Sequence, residues 1–258
     1  MDAAIAAGAL HGGSAVLEIG CGTGKLSELL VERGLRVHSV EPGANLIEAA
    51  RARLGPTEAV TFDVARFEDA DLAEHSYDAV FSATAFHWID PAVGWAKVAS
   101  VLKPGGLLAL IAYVGVEDAR SAAIDAGFRE LLRAHAPALS EEWHEPPGAD
   151  ALLDGAGERR GNASEVWDWV MSGGRHDLAI PEAAALFEDV ATTAAVRRES
   201  HDAGQALALL RTTSFYAQIP ESAREAFDRG YRRLIEADGG SYEFSLADVL
   251  MTARTPSG

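Results

Sequence analysis

The segment Val16-Leu17-Glu18-Ile19-Gly20-Cys21-Gly22-Thr23-Gly24-Lys25-Leu26 constrains this chain more than any other. An apolar run enters three alternating glycines and then an amphipathic stretch, which is the order strand, tight turn, helix. Glycines let the backbone come close to a ligand, and a helix start offers unpaired N–H groups. The dinucleotide fingerprint GxGxxG would need glycine at position 25, where this chain has lysine. A phosphate-cradling GxxxxGK[ST] loop is also missing, because Gly24-Lys25 is followed by Leu26. The spacing GxGxG sets ATP and GTP aside.

Around that segment, short apolar runs alternate with amphipathic stretches, the pattern of βαβ units and a parallel sheet. The pattern predicts strands at 15–20, 36–41, 59–63, 77–83 and 107–112, with helices at 25–33, 44–54 and 91–102. Lys103-Pro104-Gly105-Gly106 reads as a stop after the last of these helices, since proline cannot continue it and the glycines free the turn. From 116 to 185 the strand signal disappears, and helices are expected at 117–135 and 164–171. Strands return near 191–200 and 242–253, with helices at 205–215 and 221–237 between them. Pro146-Pro147-Gly148 and the stretch 154–161 read as loops.

Composition narrows the function classes. The formal charge is −17, from 22 basic and 39 acidic side chains, which opposes binding to a phosphate backbone. Nucleic acid is therefore not an expected partner. Cys21 is the sole cysteine, so neither an internal disulfide nor a Cys-rich zinc site can form. The histidines His135, His144, His176 and His201 lack HxxxH or HExxH spacing, and no metal is expected. The longest apolar run, Leu107 to Val116, is half of the roughly 20 residues a membrane span needs. No export signal is read at the N-terminus, so a cytoplasmic location and no membrane partner are expected.

With these motifs in order, the chain resembles the class I S-adenosylmethionine-dependent methyltransferases. Glu18-x-Gly20-x-Gly22-x-Gly24 is similar to the family's first motif, and Glu41-Pro42 falls where the family places the acid that holds both ribose hydroxyls. Asp63-Val64 matches the pair that reads adenine. Tyr77 to Ala83, followed by Phe86-His87-Trp88, looks like the fourth strand and active-site loop. Within the family, the Phe-His-Trp triplet and Leu210 to Tyr216 most resemble small-molecule methyltransferases of the trans-aconitate and biotin-pathway type.

The resemblance implies an α/β fold: a Rossmann-like, doubly wound, seven-stranded and mostly parallel sheet with a helical insertion after the fifth strand. Residues 1–115 and 186–258 would form the methyltransferase domain, and 116–185 a helical cap that binds the acceptor. It implies S-adenosyl-L-methionine as cofactor, held by Glu18, Gly20, Cys21, Gly22, Gly24, Glu41, Pro42, Asp63, Val64 and Ala83. It also implies a small-molecule methyl acceptor, with oxygen of a carboxylate or hydroxyl the expected atom. His87 is the candidate catalytic residue, either as a general base or as a wall of the site. Arg175 and Arg211 are candidates to position an acceptor carboxylate, and Trp143, Trp167 and Trp169 either line an acceptor pocket or build a core. Only 14 residues precede the first expected strand, whereas relatives carry further helices that cover the cofactor. Two other readings remain open: a nicotinamide-dependent oxidoreductase, and a noncatalytic binding protein that keeps the fold.

Overall fold

The computed structural model describes residues 1–142, 145–172 and 178–257. Seven strands, β1 (Ala15–Ile19), β2 (Arg36–Glu41), β3 (Val60–Val64), β4 (Tyr77–Ala83), β5 (Leu102–Val116), β6 (Glu188–Asp202) and β7 (Ser241–Arg254), form one sheet in the order β3-β2-β1-β4-β5-β7-β6. Pairing is parallel from β3 through β5. Thr255, just after β7, and Ser245 on it bond Gly106 and Asp118, so the numbering falls on one strand as it rises on the other. The pairs Ser200–Ser241 and Thr252–Ala191 run the same way, and β7 is therefore antiparallel to both neighbours. The doubly wound, mostly parallel sheet expected from the alternating pattern is present.

Helices α1 (Asp2–Ala7), α2 (Lys25–Glu32), α3 (Ala44–Leu54) and α4 (Pro91–Val101) accompany the parallel strands. Both faces of such strands are covered, which is why β1 is apolar apart from Glu18, with Leu17, Val16 and Ile19 at most 3% exposed. Helix α4 starts on an Asp90 cap that accepts the Ala92 amide, with Pro91 at the first position.

The Lys103–Gly106 segment corrects an expectation. Strand β5 starts at Leu102, directly after α4, and the four residues bulge out of it. Tyr77 pairs with Leu102 and Ala79 already with Leu107. The bulge is held by Lys103 Nζ on Asp78 (2.6 Å), by Thr255 on the Lys103 carbonyl (2.7 Å) and by Arg254 on the Gly105 carbonyl (2.7 Å). Gly105 sits at φ +72°, a conformation open to glycine.

After β5 come α5 (Ala122–His135), α6 (Pro137–Glu142), α7 (Ala149–Glu158) and α8 (Ala163–Ser172); after β6 come α9 (Ala203–Leu210), α10 (Ser214–Ala217) and α11 (Glu221–Ala237). The stretch 154–161, expected as a loop, is helical up to Glu158. Gly155 lies so close to Trp169 that an added Cβ would fall 2.7 Å from the indole ring, so the glycine serves helix packing. Trp143, His144, Arg175 and His176 lie outside the described residues.

The chain forms two compact units: residues 1–113, 153–194 and 248–258, and residues 114–152 and 195–247. These ranges differ from an insertion at 116–185, because α5 packs on α9–α11 elements rather than standing alone. Gly127 of α5 faces Leu234 of α11, and Gly230 of α11 faces Leu131 of α5, each too closely for a Cβ. Phe128, Phe227 and Tyr231 then interlock edge to face, with centroids 5.4 to 5.5 Å apart.

Candidate active site

Every element of the site lies in the first unit, at the carboxyl ends of β1 to β4. The strand order reverses between β2-β1 and β1-β4, and ligands of open α/β sheets bind at such a switch point. The loop after β1 carries three left-handed glycines, Gly20, Gly22 and Gly24. Gly20 admits the loop after β4, since a Cβ there would lie 2.3 Å from that of Ala85. Gly24 caps α2 against Ala50. A Cβ on Gly22 would meet nothing within 4 Å, so this part of the loop faces open space.

Two buried acids of the site differ in what they hold. Glu18 is 1% exposed, and its Oε2 accepts from Ser27 (2.5 Å) and Ser39 (2.8 Å). Burial pushes its carboxyl above the usual range, against the two serine bonds. Glu18 thus ties β1, β2 and α2 together behind the loop. Glu41 stands at the loop itself: Oε2 accepts the Gly22 amide at 3.1 Å and Oε1 the Gly43 amide at 2.9 Å. Each oxygen keeps a further lone pair. Pro42, next to it, is exposed. Cys21 is buried, and desolvation, followed by the charges of Glu18 and Glu41, pushes its thiol up to about 12.

Asp63 and Val64 end β3, with the Asp63 carboxyl half exposed and Val64 59% exposed, an unusual position for an apolar strand residue. Oδ2 of Asp63 is 2.8 Å from Nε2 of His38, whose Nδ1 is 2.6 Å from the Tyr77 hydroxyl. This chain of three residues was not evident in the sequence, because it depends on the order β3-β2-β1-β4, in which Tyr77 of β4 reaches across β1 to His38 of β2. Ala83 ends β4, partly exposed. Thr84 follows in a left-handed conformation (φ +52°), which turns the chain sharply into the Phe86–Trp88 turn. Phe86 anchors that turn edge-on against Trp95 (4.8 Å), leaving His87 half-buried and Trp88 64% exposed, their rings 4.9 Å apart.

The remaining candidates fall elsewhere. Trp167 is 1% exposed and packs with Phe86 and Trp95 around a void of about 10 Å³, and Trp169 carries the Arg159 guanidinium 4.2 Å above its ring. Trp167 serves as core, while Trp169 is half-buried and packs against Gly155 and Arg159. Arg211, in the second unit, is committed to Asp228, which also accepts from the Tyr216 hydroxyl (2.9 Å).

Residues 17–110 match the family described as methyltransferase domain. Over 96 residues the chain is 46% identical to an uncharacterised methyltransferase of Mycobacterium tuberculosis, a match that covers 37% of this chain and 38% of the relative. A trans-aconitate 2-methyltransferase of Paracidovorax citrulli is 28% identical over 237 residues, covering 88% of this chain and 80% of that protein. Among solved structures, a candidate type II methyltransferase of Anaeromyxobacter dehalogenans superposes with a TM-score of 0.55 at 23% identity, covering 99% of this chain and 94% of the other.

Proposed function

We propose that this chain, whose residues 17–110 match a family described as methyltransferase domain, is a class I enzyme that transfers a methyl group from S-adenosylmethionine to a carboxylate or hydroxyl oxygen of a small molecule. The observation that carries this reading is the Glu41 carboxylate bonded to the Gly22 amide across the open face of the glycine loop. When bound, the cofactor supplies an activated methyl on a sulfonium sulfur, and the protein's task is alignment.

The residues present fit such a group. Gly20 and Gly22 let the backbone approach it, and the spare lone pairs of Glu41 suit a pair of vicinal hydroxyls. Asp63, steadied by His38, is an acceptor for an exocyclic amine, and the exposed Val64 side chain is an apolar surface for a ring. His87, in the turn after β4, either takes the proton of a hydroxyl acceptor or shapes the wall beside a carboxylate. The choice of an oxygen acceptor rests on the likeness to the trans-aconitate enzyme over 88% of the chain.

The test is incubation with methyl-labelled S-adenosylmethionine and a panel of carboxylic acids, phenols and amines. Label in a carboxylic ester or an ether supports the reading. Label confined to amines would overturn the oxygen acceptor, and no transfer to any member, with cofactor bound, would favour a noncatalytic role.

A further inference from the structure

The second unit carries an open cavity of about 370 Å³ that the methyl-transfer reading does not use. Its walls are aromatic and aliphatic, with Phe128, Phe215, Tyr231, Tyr242 and Phe244 contributing rings. Several polar groups in the wall are already satisfied within the unit. The Tyr242 hydroxyl donates to Asp125 Oδ1 (2.9 Å), Ser121 to Asp125 Oδ2 (2.6 Å), and Thr213 to the Leu210 carbonyl (2.7 Å).

His201 is different. Its Nε2 lies 3.0 Å from Oε2 of Glu199, a carboxylate that Arg197 also pairs with, while its Nδ1 is buried and has no hydrogen-bond partner among the described residues. An ionised Glu199 accepts the Nε2 proton, which leaves the lone pair of the neutral ring on Nδ1. A buried acceptor without a partner is costly, and a ligand donor at that atom removes the cost. No lysine or arginine is among the described residues lining the cavity, and Asp125 is its one acid. An anionic ligand therefore gains nothing there. An apolar cavity of roughly 150 Å³ holds one benzene, so this one has room for two fused rings.

We propose that this cavity is a binding site for an uncharged, two-ring aromatic compound bearing a hydroxyl, with the rings between the aromatic walls and the hydroxyl donating to Nδ1 of His201. The site lies wholly within residues 114–152 and 195–247, and its occupation does not depend on the methyl-transfer reading.

The test is calorimetry of the full chain, without cofactor, with 2-naphthol, 2-naphthoate and naphthalene. The expected order is 2-naphthol tightest, naphthalene about tenfold weaker and 2-naphthoate weakest, a hydrogen bond being worth about that factor. His201→Phe should bring 2-naphthol down to the affinity of naphthalene while leaving naphthalene binding intact, which also shows that the variant keeps its fold. His201→Gln, which retains an acceptor, should restore most of the preference. Binding of 2-naphthoate as tight as 2-naphthol, an unchanged preference in His201→Phe, or no binding of any probe would each overturn the proposal. A parallel titration with S-adenosylhomocysteine reports separately on the cofactor reading.

Discussion

Oε2 of Glu18 accepts the Ser39 hydroxyl at 2.8 Å, while Glu41, two residues further along the same strand, sends both carboxylate oxygens to the loop amides. The two acids of the glycine-loop region thus divide the work between frame and ligand face. Substitutions should separate the two roles. Glu18→Ala leaves two buried hydroxyls without their acceptor and should cost about 1–3 kcal/mol in urea unfolding. Because the native carboxyl holds its proton to higher pH than the unfolded chain, its stabilising contribution is full below about 4.5 and is lost as pH rises through the native pKa. Wild type should therefore lose stability relative to Glu18→Gln as pH rises from 4 to 8; an unchanged difference would contradict the burial argument.

Cys21 gives an independent view of the same loop. With its thiol pushed up to about 12, the thiolate population at pH 8 is about 10³-fold below that of a free cysteine. Labelling by a chromogenic disulfide should be slower in the native protein by at least that factor and rapid in urea. Native labelling at the rate of a free thiol would show the loop to be open around Cys21.

Asp118 tests the second unit. Its carboxyl accepts from the Ser245 hydroxyl (2.7 Å) and pairs with Arg120 (2.9 Å), the serine bond being the larger influence, and together they hold its pKa down to about 2. The depressed value means a stabilising contribution present above the unfolded pKa of 3.8 and lost as pH falls through about 2. Asp118→Asn should therefore cost about 1–2 kcal/mol at pH 7, and the difference should close between pH 4 and pH 2. A difference independent of pH would show that charge is not what Asp118 contributes.

His87 divides the two oxygen acceptors. With a hydroxyl acceptor, His87→Ala should lower kcat by about 10²–10⁴-fold with cofactor affinity unchanged, and wild-type turnover should fall as His87 protonates. With a carboxylate acceptor the oxygen already holds a lone pair, so His87→Gln should keep most activity. A fully active His87→Ala enzyme with a hydroxyl acceptor would remove this residue from the chemistry.

The parallel half of the sheet was readable because β1 to β4 alternate with helices and each strand ends in a residue of distinct chemistry: a glycine turn, Glu41, Asp63 and Ala83. The Lys103–Gly106 bulge was not, since its partners Thr255 and Arg254 lie about 150 positions away and only the antiparallel β7 brings them near. Glu18 read as a ligand residue because a motif records residue type and not burial, and its partner Ser39 lies on β2, a strand that already mixes polar and apolar residues. The link from Asp63 to His38 depends on the register of β3 beside β2, which no sequence spacing records, whereas Glu199 and His201 are two apart on β6 and share a face by strand alternation. Trp167 was ambiguous because helical aromatics serve cores and pockets alike, and only its burial separates the two.

The central claim is that Glu41 and the glycine loop hold S-adenosylmethionine, and calorimetric titration with S-adenosylhomocysteine tests it most directly. The account predicts one site per chain with a dissociation constant in the micromolar range, weakened about tenfold to a hundredfold in Glu41→Ala, since hydrogen bonds to a charged group are worth about 1.5–3 kcal/mol. Tight binding of NADH in place of S-adenosylhomocysteine, or wild-type affinity in a folded Glu41→Ala variant, would contradict it.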